Sequence, residues 1–184
     1  MRKEIVLDIE TRNTFQDVGA YNPALLEVSL VGVYFYETDT FETFLKEDLP
    51  KLWPRLELAD RLIGYNLLAF DYPCLQTSYT GNMMQFPTVD LLVEIERQLG
   101  HRIKLDDVAL ATLGVGKSGH GLMAVEYWRR GEIEKLKEYC LQDVRVTRDI
   151  YDHVLKYQDV SYFDRSRQKQ TIPLSLENTL EKER

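Results

Sequence analysis

MRKEIVLDIET, residues 1–11, is a β-branched apolar run interrupted by two acids, Asp8 and Glu10. Such a run reads as a β-strand over residues 4–9. Side chains alternate along a strand, so Asp8 and Glu10 share one face while Leu7 and Ile9 take the other. Two carboxylates held that close repel each other. One pKa rises and the strand is destabilised unless a positive group sits between them, and a hard divalent cation with oxygen ligands is the natural answer. Taken alone, the pair fits a solvent-facing edge strand as readily. The apolar stretch is short and broken by its acids, so neither a signal peptide nor a membrane span is expected here.

Working outward, residues 28–36 form a second run of this kind and 39–45 alternate, which predicts an antiparallel meander of three strands. Residues 47–59 carry a helical pattern with Pro50 near its start and Pro54 expected to break or kink it. A strand at 61–66, a helix at 67–79 and a short fifth strand at 88–92 leading into a helix to about residue 99 follow. Helices are then expected at 105–113, 121–130 and 132–157, the last with apolar residues at three- and four-residue spacing. Strands first, with helices concentrated in the C-terminal half, make an α/β chain. Residues 1–164 are expected to form one domain and 165–184 a polar, poorly packed tail. A length of 184 residues is enough for one core, and 44% hydrophobic with 29% charged residues excludes a disordered chain. Cys74 and Cys140 are too few for a disulfide framework and lack zinc-site spacing, so a reducing cytoplasm is the expected location.

Two further segments carry candidate chemistry. In LIGYNLLAFDYP, residues 62–73, an apolar strand ends at Asn66 and Asp71 falls in the first turns of the next helix. Tyr65, Phe70 and Tyr72 surround it, as core or as stacking partners for unpaired bases. In KLKEYCLQDVRVTRDIY, residues 135–151, Tyr139 and Asp143 are four apart and therefore neighbours on one helix face. Alone, that pairing fits a structural contact. Asp90, in FPTVDLLVEI, reads first as the cap of the following helix and second as an outer neighbour of the metals. His120, in a glycine-flanked loop without partner spacing, is left out of the site. Lys117, Arg129, Arg130, Lys135 and Lys137 make the most basic region, either a guide for a nucleic-acid strand or a solvated helix face. ALATLGVGKS, residues 109–118, matches a relaxed Walker A pattern with Ala111 where the first Gly belongs. It follows a helical stretch rather than a strand, so Gly114 and Gly116 read as a helix end and a turn.

Read together, LDIET, GYNLLAFDYPCL and YCLQD occur in one order along residues 7–143. The sequence resembles the proofreading exonuclease domain of family B DNA polymerases and the wider DEDD exonucleases. The resemblance implies a ribonuclease H-like mixed five-stranded sheet flanked by helices, two divalent cations (Mg or Mn), and removal of nucleotides from a 3′ end. It implies Asp8, Glu10, Asp71 and Asp143 as metal ligands and Tyr139 as the residue orienting the attacking water. Thr11, Asn66 and Phe70, within the same motifs, are the candidate substrate contacts. The histidine subfamily places His five residues before the last Asp; here that position is Glu138, so the tyrosine subfamily is the match.

The implied chemistry suits these residues. Two cations about 3.5–4 Å apart clamp the attacking and leaving oxygens of an in-line displacement. A phenol with a pKa near about 10 is a poor base at neutral pH, so Tyr139 is expected to position water rather than deprotonate it. A net charge of −7 counts against a general electrostatic grip on nucleic acid. Four of those acids, however, are expected ligands whose charge two divalent cations would cancel. The expected function is a stand-alone metal-dependent 3′–5′ exonuclease acting on single-stranded DNA or RNA ends, since 184 residues leave no room for a polymerase. The alternative is a catalytically silent nuclease-like domain that binds nucleic acid or a protein partner, which the intact set of five site residues disfavours.

Overall fold

The computed structural model describes residues 2–116 and 122–176. A five-stranded sheet is built from β1 (Glu4–Thr11), β2 (Val28–Phe35), β3 (Thr40–Leu45), β4 (Arg61–Gly64) and β5 (Thr88–Asp90), in the order β3-β2-β1-β4-β5. The first three strands form the antiparallel meander, and β4 and β5 add in parallel on the other side of β1. The sheet is therefore mixed, and β1 lies at its centre.

Both faces of β1 are covered. Ile5, Leu7 and Ile9 enter one apolar layer with Leu49, Leu52 and Leu56 of α2 (Leu49–Glu57) and with α3 (Tyr72–Gln76). Helix α2 continues through Pro54. A proline inside a helix costs about 3 kcal/mol, while three fully buried leucines contribute about 1.5–3 kcal/mol each, so packing overrides the breaker. On the other face Val6 joins Ile63 and Val89 beneath α4 (Leu91–Leu99), α5 (Leu105–Leu113) and α7 (Ile133–Tyr157). A third apolar group joins Leu30 to Leu136, Tyr139 and Cys140 of α7 and to Ala124 of α6 (Leu122–Arg129). A short helix, α1 (Phe15–Val18), follows β1.

Helix α7 runs where the periodicity of the sequence puts it, because Leu136, Cys140, Asp143, Val144, Thr147, Ile150, Tyr151 and Val154 all fall on its buried side. It crosses β2 at Gly32. A Cβ there would meet the Cys140 sulfur at 2.7 Å and a Val144 methyl at 3.1 Å, so the missing side chain sets how closely the helix approaches the sheet.

Two expectations need correction. Residues 67–79 are not one helix: a π-type turn, Leu67–Asp71, precedes α3, which has Pro73 in its first turn and ends at Gln76. The stretch 165–176, expected as part of a polar tail, is structured. Strand β7 (Lys169–Pro173) pairs antiparallel with β6 (Asp159–Phe163), and Leu174 and Leu176 are buried. Ser161 donates its N–H to the Thr112 hydroxyl and accepts that hydroxyl's proton at its carbonyl, both at 3.0 Å, which fastens the hairpin to α5. Ile172, Leu174 and Leu176 fall at every second position, a period-two signal too short to stand out among the charges around it. Residues 177–184 lie outside the described residues.

Candidate active site

Strand β1 turns Val6, Asp8 and Glu10 towards α7, with Tyr34, Gly32 and Leu30 of β2 as their respective neighbours. Glu10 is buried and Asp8 half-buried. Ligand atoms of Asp8, Glu10 and Cys140 all lie within 4.8 Å of one another. The Cys140 thiol faces the Asp8 carbonyl at 3.6 Å and its Oδ2 at 3.8 Å. Asp143, one helical turn beyond Tyr139 and 7% exposed, lines the same cleft as Asp8.

Asp71 arrives from the opposite side of β1. Pairing between β1 and β4 stops at Val6 and Ile63, which leaves the next part of that flank without a strand partner. Asp71 Oδ1 fills the gap by accepting the Ile9 N–H at 3.2 Å, and so docks its carboxyl beside the residue between Asp8 and Glu10. Burial, then the charges of Asp8 and Asp90, hold the Asp71 pKa well above the usual carboxylate range. Burial, followed by Asp8, Glu10 and Asp143, likewise pushes the Cys140 thiol well above its ordinary value. Asp71 and Asp143 thus approach the Asp8 and Glu10 pair from two other segments, with the neutral Cys140 thiol beside the pair.

The turn that carries Asp71 is braced by Asp90. Its carboxylate accepts the Leu92 N–H at 3.1 Å, capping α4 as the sequence suggests. It also accepts the Asn66 N–H at 2.7 Å and the Leu68 N–H at 3.0 Å. Asn66 itself is in the left-handed region, φ +77°, which Asn tolerates better than most residues. Two residues before it, a Cβ on Gly64 would meet the buried Leu67 side chain at 2.4 Å, so the glycine leaves room for that leucine to pack against the strand end. Asp90 is 2% exposed, and burial raises its pKa. Its bracing role is invisible in the sequence, where only the cap has a local signature.

The remaining candidates separate. The Thr11 hydroxyl is buried and donates to the Asn13 carbonyl at 2.8 Å. Phe70 packs into the layer beneath α3, edge-on to Phe15 at 6.2 Å. Asn66 lines the cleft. Tyr65 donates its hydroxyl to the Ile103 carbonyl at 2.8 Å, and the buried Tyr72 shares a hydrogen bond with Thr88 at 2.6 Å. Of the basic region, Arg129 pairs with Asp17, Arg130 with Glu126, Lys135 with Glu132 and Lys137 with Glu134, which makes it a self-neutralised surface. Lys117 and His120 lie outside the described residues. Within the Walker-like stretch, residues 109–113 are the end of α5, closed by Gly114 at φ +72°, whose N–H bonds the Leu110 carbonyl. Sequence reasoning missed Arg102 and Lys104, which line the same cleft as Asp8 and Asp143, because no spacing rule marks them.

The chain matches the RNase H superfamily over residues 5–155, a span that contains all four carboxylates and Tyr139. It belongs to that superfamily. Among solved structures, this RNase H-like chain is similar to the family B DNA polymerase from the hyperthermophilic archaeon Pyrobaculum calidifontis, at 20% sequence identity and a TM-score of 0.64. The match covers 84% of this chain and 24% of the polymerase, so the RNase H-like fold corresponds to about a quarter of that larger protein. No curated protein matches the chain in sequence. No described helix is long and apolar enough to cross a membrane.

Proposed function

We propose that this chain is a 3′–5′ exonuclease that uses two divalent cations, Mg or Mn, to hydrolyse phosphodiester bonds at single-stranded DNA or RNA ends. The observation that carries the reading is the approach of Asp71 and Asp143 to the Asp8 and Glu10 pair around β1, where burial and the charge of Asp8 on Asp71 call for a cation. The donor set fits hard ions: four carboxylates, with a thiol kept neutral beside them. Asp8, Glu10, Asp71 and Asp143 would hold the ions, which when bound stabilise the charge that develops on the phosphoryl oxygens and lower the pKa of water.

The chain's own side chains set the geometry. Asp71 is fixed by the Ile9 N–H, and its turn by Asp90. Tyr139, held among Leu30, Ala124 and Leu136 a turn before Asp143, orients the attacking water by hydrogen bond. The 3′ to 5′ direction rests on the resemblance of LDIET, GYNLLAFDYPCL and YCLQD to exonuclease motifs.

Single-stranded DNA and RNA oligonucleotides labelled separately at each end test the proposal. With Mg or Mn, the 3′ label should be released first as mononucleotide, and chelator should stop the reaction. Release from the 5′ end, or full activity after exhaustive chelation, would overturn it. Binding without cleavage would favour the silent-domain alternative.

A further inference from the structure

Resting on the nuclease reading, we propose that the segment 102–104 is the wall along which a single-stranded substrate lies, with Arg102 and Lys104 contacting successive backbone phosphates. The cleft measures about 560 Å³ and is lined by Asp8 and Asp143 together with Arg102, Ile103 and Lys104. Arg102 and Lys104 are exposed, and Ile103 between them is partly buried in the core beneath α4 and α5. Lys104 is in extended backbone, at φ −76° and ψ 148°. Arg102 and Lys104 are two residues apart, at most about 7 Å along the chain, so two long cationic side chains can reach neighbouring phosphates of one backbone.

The wall is preformed. The Tyr65 hydroxyl holds the Ile103 carbonyl, and the Arg102 guanidinium donates to Asn66 Oδ1, so two side-chain bonds fasten the segment to the end of β4. That end also begins the turn carrying Asp71, so strand path and carboxylates share one support.

Charge points to the same place. The basic groups at residues 129–137 are each paired with an acid at 2.6–3.2 Å. Lys104 takes part in none of the ion pairs among the described residues, and Arg102 has Glu96 at 3.7 Å, a loose contact. Arg102 and Lys104 are the cations lining the cleft, beside the acids Asp8, Asp106 and Asp143, in a chain whose net charge is −7. Contacts to phosphates carry no base information, so the wall fits an unpaired strand of any sequence.

The test measures binding of a fluorescent oligothymidylate in Ca²⁺ over a salt series, for wild type, Arg102→Ala, Lys104→Ala and the double variant, with Lys137→Ala as control. Hydrolysis of a small chromogenic phosphodiester, too short to reach the wall, is followed alongside in Mg²⁺. The double variant should bind about tenfold or more weakly at low salt, and its slope of log K against log salt should fall by about 1.4, or about 0.7 per lost single-strand phosphate contact. Lys137→Ala should match wild type in binding, in slope and in small-diester hydrolysis. An unchanged slope in the double variant, or no binding by wild type, would overturn the wall. A wild type that binds with the full slope but cleaves neither substrate would overturn the nuclease reading and support the wall.

Discussion

Tyr139 and Asp143 sit one turn apart on the same face of α7, yet the proposed mechanism gives them different work. Asp143→Asn removes ligand charge, so metal affinity and rate should fall together, with at most partial rescue by excess metal. Tyr139→Phe keeps the ring packed among Leu30, Ala124 and Leu136 and deletes one hydroxyl. Metal binding should survive while turnover drops about 10- to 1000-fold. Calorimetric metal titration beside single-turnover rates separates the two, and wild-type cleavage by Tyr139→Phe would reduce the tyrosine to packing. At this scale the sequence is legible where chemistry follows local geometry. A spacing of two on a strand puts Asp8 and Glu10 together, and a spacing of four on a helix does the same for Tyr139 and Asp143. Asp90 shows the limit: its cap is a local signal, but its bonds to Asn66 and Leu68 span more than twenty residues and depend on where β4 ends.

Among elements, α7 was the most readable because 25 residues of consistent period leave little freedom in its bounds, whereas the turn 67–71 and the β6–β7 hairpin depend on contacts that only the fold supplies. How deep α7 sits is likewise a tertiary matter, and Gly32 controls it. Gly32→Ala would drive a methyl to 2.7 Å from the Cys140 sulfur and 3.1 Å from Val144. Overpacking of this kind costs about 1–3 kcal/mol, and the helix it displaces carries Asp143. Gly32→Ala should therefore lower the melting temperature and also weaken metal binding. Adding Cys140→Ala removes the sulfur that the methyl meets, so the double variant should recover much of both losses, a coupling measurable as a double-mutant cycle. Additive losses would show that the close approach of α7 at Gly32 does not set the site.

Across the whole molecule, the candidate ligands come from β1 at the start of the chain, the turn after β4, and α7 near the end, so an ion bound by all of them ties distant segments together. A ligand that binds only the folded state at a hundred times its dissociation constant stabilises by about 2.7 kcal/mol, or about 5–10 °C in melting temperature for a chain of this size. Mg²⁺ or Mn²⁺ should raise the melting temperature by that order, and Asp143→Asn should abolish the rise. The same assembly sets a pH dependence of opposite sign with and without metal. In chelator, burial and the nearby carboxylates hold the folded Asp71 pKa well above its ordinary 3.8, so above that value the folded state binds more protons than the unfolded. This contribution to stability is fully present below the unfolded value and is lost as pH rises through the raised folded one. With saturating metal the ionised carboxylate is the bound form, so the gain from metal should instead grow with pH. Thermal melts between about pH 5 and 8, in chelator and in Mg²⁺, should therefore diverge as pH rises. Asp71→Asn should flatten the chelator series, since its amide does not titrate. A chelator series equally steep in Asp71→Asn would mean that the pH dependence arises elsewhere and that the repulsion around β1 is not what a cation relieves.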